Sequence, residues 1–256
     1  MAREGPGATA AGDTAAPGLG IRGADTAIGG GGAGPAADRR YAAALALLFA
    51  LVWIALAVSP YDRHDWALEN ALVVAFCAVL AATRRRLALS RLSCTLIFVF
   101  LCLHSVGAHY TYAMVPYDDW WRALTGRTFN SLWGWQRNHF DRLVHFLYGL
   151  LLAWPAREVL VRLAGVRGFW SYFLPLDFML ASSALFELFE WAAAEFFGGD
   201  LGAAYLGTQG DMWDAHKDMA LAALGALLAM LIAAVVNRAR RSCSATPSAS
   251  PASPSG

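Results

Sequence analysis

Four short stretches of this chain hold most of the side chains able to do chemistry. HSVGAHYTY (104–112) supplies His104, His109, Tyr110 and Tyr112, and RNHFDRLVH (137–145) supplies Arg137, Asn138, Asp141, Arg142 and His145. FELFE (186–190) adds Glu187 and Glu190, and QGDMWDAHKD (209–218) adds Gln209, Asp211, Asp214 and Asp218. Asp141 and His145 are four residues apart, one helical turn. At that spacing a carboxylate and an imidazole ligate one metal ion, or form an acid/base pair in which the carboxylate orients the ring. Glu187 and Glu190 stand at i and i+3 inside an apolar run. Two carboxylates so placed repel each other unless a cation, an arginine or a shared proton lies between them. Asp211, Asp214 and Asp218 form a single stripe at i, i+3 and i+7 if their helix starts early enough.

These spacings divide the candidates by role. Catalytic candidates are His109, Asp141, His145, Glu187 and Glu190. Arg137, Asn138, Arg142, Tyr110, Tyr112 and Gln209 are candidates to hold substrate, with the guanidinium groups suited to a phosphate. His104, Asp211, Asp214 and Asp218 are candidate metal ligands. Oxygen and imidazole donors without thiolates suit a divalent ion such as zinc, manganese or iron, and that is the expected cofactor. Blander readings compete. Asp141 with Arg137 or Arg142 is an ion pair that holds helix ends together, and His104 and His109 bond a neighbouring helix. Asp62, His64, Asp65, Asp118 and Asp119 read as solvated loop residues, and His139 and His216 as flanking groups that face water. The chain has no H-E-x-x-H, P-loop, G-x-S-x-G or dinucleotide fingerprint.

The elements that must position these groups are membrane helices. Of the 256 residues 57% are hydrophobic and 15% charged, and the mean hydropathy is +0.43, too apolar for an ordinary soluble domain. The fold expected is all-α, a polytopic bundle of about six transmembrane helices near 41–59, 69–83, 92–110, 139–160, 170–196 and 215–237. Arg39 and Arg40, then Arg84, Arg85, Arg86 and Arg91, then Arg157, Arg162 and Arg167, and finally Arg238, Arg240 and Arg241 all fall on one side if six helices alternate. The positive-inside rule makes that side, and both termini, cytoplasmic. The same map sends all six histidines and 13 of the 19 carboxylates to the outer half. Ionisable groups at bilayer depth are costly and mark function by default, so the site is expected to face outward.

Residues 1–38 are rich in Gly and Ala, unlike a cleavable signal peptide, and 242–256 are Ser, Pro and Ala. Both read as disordered tails flanking one domain at 39–241. Cys77, Cys94, Cys102 and Cys243 follow no C-x-x-C pattern and read as packing residues.

At the residues named above the chain resembles the YjdF-like family of bacterial inner-membrane proteins, which share a domain of unknown function. The matching stretches are HSVGAHYTYAMVP (104–116), RNHFDRLVHFLYG (137–149), FELFEW (186–191) and LGTQGDMWDAHKDM (206–219), and the likeness extends over about 66–235. The resemblance implies a multi-pass inner-membrane location. It makes His104, His109, Tyr110, Tyr112, Arg137, Asn138, Asp141, Arg142, His145, Glu187, Glu190, Gln209, Asp211, Asp214 and Asp218 the family signature here, and carries no activity with it.

Three functions compete. The first is a metal-assisted or acid/base hydrolase or transferase acting on a lipid or envelope substrate at the outer leaflet. The second is a cation or proton transporter, which needs polar groups continuing toward the opposite face, past Ala153 or Ala229, where the chain offers few. The third is a non-catalytic assembly protein whose polar cluster locks helices together. The partner expected is the lipid bilayer. Nucleic acid is excluded because the arginines follow the topology rule and form no patch.

Overall fold

The computed structural model describes residues 35–199, 202 and 206–244. Among them are eight helices and no strand: α1 (Pro35–Leu56), α2 (Arg63–Thr83), α3 (Arg91–His109), α4 (Tyr117–Thr125), α5 (Phe129–Trp133), α6 (Phe140–Leu163), α7 (Trp170–Phe197) and α8 (Asp214–Ser244). Six of these, all but α4 and α5, are long and apolar enough to cross a membrane. The expected all-α bundle of six spanning helices is therefore present. Positions 1–34 and 245–256 of the two expected tails lie outside the described residues. The adjoining positions 35–38 and 242–244 are helical, so α1 and α8 each run a few residues beyond the expected limits.

Local chemistry explains the main departures from the expected boundaries. Helix α2 begins at Arg63, not near 69, because the Asp62 carboxylate caps it, accepting from the backbone N–H of His64 at 2.8 Å and Asp65 at 2.9 Å. The Asp65 N–H, more than the other bonds, holds the Asp62 carboxyl below the usual carboxylate range. The solvated-loop reading of Asp62, His64 and Asp65 is thus corrected: Asp65 lies in the first turn of α2 and is buried. Asp118 and Asp119, also read as loop residues, lie in the first turn of α4. Helix α8 begins at Asp214, so Asp211 precedes it and only Asp214 and Asp218 share its face.

Packing is organised around α6, which lies against α8, α3 and α7, while α1 and α2 each rest on α3. The α6–α8 crossing is very close. A side chain at Gly149 would collide with the backbone carbonyl of Ala222, and one at Gly225 with that of Phe146. Small residues along both helices, including Ala153, Ala222, Ala226, Ala229 and Ala233, are all buried and let the backbones touch. Ala153 and Ala229 are packed in the main apolar cluster with Ile97, Leu101, Leu152 and Met179.

At the arginine-rich end a second polar group ties α3 to α6. The Glu158 carboxylate is buried and accepts from the Ser90 N–H and hydroxyl, both at 2.7 Å, from the Ser93 hydroxyl, and from Arg162 at 2.7 Å. Cys77, Cys94 and Cys102 are free thiols, half-buried on helix faces.

Candidate functional site

The α6–α8 crossing sets the register of the site. Both helices start at the same end of the bundle, and Gly149 meets Ala222. One turn back from that contact lie His145 and Asp218; two turns back lie Asp141 with Arg142, and Asp214. Two small residues deep in the bundle therefore fix which ionisable groups face each other at its mouth.

The outermost layer is an ionic lock whose carboxylates are all paired, with Arg142 Nε left without a partner. Arg137 holds Asp214 with both terminal nitrogens, at 2.7 and 3.1 Å. Arg142 donates to Asp214 at 2.9 Å and also to Asp211, which in turn accepts from Lys217 at 2.5 Å. The hydrogen bond from Lys217, then that from the Trp213 N–H, lower the Asp211 pKa furthest; Arg142 adds to them. Asn138 and Gln209 exchange two bonds, Asn138 N–H to Gln209 Oε1 at 2.9 Å and Gln209 Nε2 to Asn138 carbonyl at 3.0 Å. The Asn138 side chain also caps α6 through the Phe140 N–H and donates to the Val115 carbonyl at 2.8 Å. Four residues expected to hold substrate (Arg137, Asn138, Arg142, Gln209) and two expected to ligate metal (Asp211, Asp214) are thus placed in mutual contacts. The ion-pair reading applies here with Asp211 and Asp214 as the acids, not Asp141.

Beneath the lock the balance changes. Asp141, His145 and Asp218 each turn a ligating atom toward one point, all three atoms within 4.8 Å of one another. His145 Nε2 also lies 3.5 Å from Glu187 Oε1 and 3.6 Å from Asp141 Oδ1. Asp218 is 2% exposed, yet its Oδ1 has no hydrogen-bond partner, and neither has the buried Glu187 Oε1. A buried carboxylate oxygen without a donor is expensive. A divalent cation or a proton between these acids removes that cost, and the O/N donor set suits a hard-to-borderline ion.

The remaining candidates divide. His104 is buried, its Nδ1 2.5 Å from the Tyr112 hydroxyl and its Nε2 3.8 Å from the Glu69 carboxylate. It lies apart from Asp211 and Asp214, so the expected metal quartet does not assemble; of its members Asp218 alone joins the cluster with Asp141 and His145. Burial, then Glu69 and other nearby carboxylates, push the Tyr112 phenol well above its ordinary pKa. Thr111 and Tyr112 both have positive φ, 50° and 49°, and this turn folds the Tyr112 ring back onto Gly107. Gly107, having no side chain, leaves room for that ring. His109 is spent on a latch, its Nδ1 2.7 Å from the Leu56 carbonyl at the end of α1, and the Tyr110 ring packs on His109 and Trp120. Of the flanking histidines, His216 is exposed as expected, while His139 is half-buried against Trp135. Burial, then Arg142 and Arg137, lower the His139 pKa.

Sequence reasoning missed Glu69 and Asn70. Both are buried on α2, Asn70 accepting from the Trp53 indole at 2.5 Å and Glu69 keeping an unpartnered Oε2 beside His104. The available signal was the i, i+4 pair Asp65 and Glu69, which puts both acids on one face once α2 starts at Arg63.

These groups head a cavity of about 520 Å³. His104, Tyr112, Asp141, His145 and Glu190 line its polar end, and from there it runs between α2, α3, α6 and α7 to Leu87, Leu89 and Leu160 at the other. The wall beyond the head is apolar except for Tyr148, Ser182 and Ser183.

The family described as "Predicted membrane protein (DUF2238)" has a model that matches residues 41–239, which reaches from within α1 to within α8 and takes in every signature stretch. The chain belongs to the DUF2238 family. Its relative "Inner membrane protein YjdF" of Escherichia coli (strain K12) is 40% identical over 190 residues, covering 74% of this chain and 87% of that protein. No solved structure matches. Six spanning helices and this kinship make the chain a multi-pass inner-membrane protein, as the resemblance implied.

Proposed function

We propose that this DUF2238 protein is a membrane-embedded hydrolase or transferase, opening at the outer leaflet, that acts on a lipid or envelope substrate through the Asp141–His145–Asp218 centre. The observation that carries the reading is the convergent triad with its unpartnered Asp218 carboxylate oxygen, two of whose members, Asp141 and His145, line the head of an apolar cavity. A divalent cation, if held by the triad, would supply Lewis acidity there. Asp141 and Asp218 would hold it through oxygen and His145 through nitrogen. Glu187, against His145, is placed to take up a proton. Glu190, Tyr112 and His104 line the space where a head group would lie, with Glu69 behind His104.

The lock supports the same division of labour. Arg137 and Arg142 fix α6 on α8, so the assembly reading describes the outermost layer and the enzymatic reading the layer below it. Transport is the weaker alternative, since below His145 and Glu190 the cavity wall is nearly free of polar groups. The test is to reconstitute purified protein in vesicles of bacterial envelope lipid and follow head-group release or transfer by mass spectrometry. Chelator-sensitive turnover, lost in Asp218→Asn and kept in Asp211→Asn, is the expected result. Turnover unaffected by Asp218→Asn or Asp141→Asn would overturn the assignment.

A further inference from the structure

The cavity below the centre is longer than a head-group pocket requires. Along α6 its wall runs from Asp141 to Leu160, roughly 28 Å at about 1.5 Å per residue. That is close to the whole hydrocarbon thickness of a bilayer, about 30 Å. A lipid tail confined to its own leaflet would line only the nearer half. A volume of about 520 Å³ lies along that length, walled almost wholly by apolar side chains.

The channel also has a side entrance. Its floor is buried and comes from α3 and α6, through residues such as Leu101, Val144 and Leu152. Its two rims come from α2, which packs on α3, and α7, which packs on α6 and α8, and no extensive packing joins the rims to each other. Phe76 and Val79 on one rim and Phe178 on the other are exposed to the surrounding medium, which for these helices is lipid. Ser183, 2% exposed inside the channel, leaves its hydroxyl without a partner.

We infer that the channel binds the single tail of a polyprenyl phosphate, which enters sideways between α2 and α7 and lies along α6 past the bilayer midplane with its phosphate at the Asp141–His145–Asp218 centre. The inference rests on the proposed function, because the acidic head accepts a phosphate only through the cation that the centre holds. Tail length selects the occupant: diacyl lipids bring two tails of one leaflet's depth, and a polyprenyl chain brings one that outruns it.

Photolabelling tests this on the full-length protein in nanodiscs. The probes are a polyprenyl phosphate and a diacyl phosphatidylethanolamine, each with a diazirine near the tail end, and labelled peptides are mapped by mass spectrometry. The polyprenyl probe is expected to mark the deep wall around Val79 and Leu160 and to be competed by unlabelled polyprenyl phosphate. Ser183→Trp, which fills the channel, and Val79→Trp, which narrows its rim and is a position open enough to fold, should each cut that labelling about tenfold, equivalent to ~1.4 kcal/mol of tail contact. Equal labelling of the lipid-facing α1 residue Leu47, or deep labelling by the diacyl probe as well, would overturn the inference. Metal content measured on the same samples separates the two claims. Metal bound without deep labelling defeats the channel and leaves the centre; deep labelling by metal-free protein defeats the centre and leaves a tail site.

Discussion

Glu158 and Asp218 are both buried carboxylates in spanning helices that pack on a neighbour, and they sit at opposite ends of the bundle in opposite conditions. Around Glu158 the fold has assembled a backbone N–H, two hydroxyls and an arginine, so its oxygens are satisfied. Around Asp218 it has assembled Asp141 and His145 within reach and left Oδ1 without a donor. A charge that serves only packing is expected to look like the first, because an unpaired buried oxygen costs more than the packing returns. The second arrangement makes sense when something outside the chain completes it. The same contrast between carboxylates recurs within about two helical turns at the mouth, where Asp211 and Asp214 are paired by Arg137 and Arg142 and Asp218 beneath them keeps an unpartnered oxygen.

Substitutions can break this contrast, and the largest effect is expected at the satisfied end. Glu158→Ala leaves Arg162 and two serines facing a void and should cost on the order of 3–5 kcal/mol, read as a large drop in melting temperature of the detergent-purified protein. Arg137→Ala exposes the same logic at the lock: Asp214, 3% exposed, loses its bidentate partner, and a loss of about 2–5 kcal/mol is expected by the same assay. Equal effects from Glu187→Gln would erase the distinction. Glutamine at 187 can keep the side-chain hydrogen bond to Glu190 while removing an acid from a cluster of acids, so stability should change by less than about 1 kcal/mol or rise. Tyr112→Phe removes one hydrogen bond to His104, worth about 1 kcal/mol, and tests whether that chain contributes to turnover beyond its small structural share.

The smallest effect is a pH dependence. Because Lys217 and Arg142 depress the Asp211 carboxyl, its stabilising contribution is full above the ordinary carboxylate value near 4 and is lost progressively as pH falls below it. Wild-type protein should lose more stability than Asp211→Asn between about pH 5 and pH 3 in a thermal-shift titration. Identical slopes would show that Asp211 takes no part in the lock.

Much of this fold was legible because hydropathy and the arginine pattern act over whole segments. The spans, their alternation and the gathering of polar stretches at one end all follow from such long-range signals. The division of labour among the gathered residues was not legible, because it depends on a one-turn register between α6 and α8. Nothing in RNHFDRLVH says that Arg137 and Arg142 face Asp211 and Asp214 while Asp141 and His145 face Asp218. That choice is made by the contact of Gly149 with Ala222, eight residues further along each helix than Asp141 and Asp214. Glu69 was missed for a different reason. The apolar run of α2 is short, so its acidic first turns read as loop, and the Asp62 cap that makes them helical is visible only as a backbone conformation. His109 shows the converse: its type and position fit a catalytic role, and its ring is taken by a carbonyl of α1.

The central claim is that the unsatisfied layer is completed by a cation while the satisfied layer is not. The direct measurement is metal stoichiometry by mass spectrometry on purified protein, wild type beside Asp141→Asn, Asp218→Asn and Asp211→Asn, with the melting temperature of each recorded. The account predicts one bound divalent ion per chain in the wild type and in Asp211→Asn, and none in the other two, which stay folded. A metal-free wild type, or an ion retained equally in folded Asp141→Asn and Asp218→Asn, would contradict it.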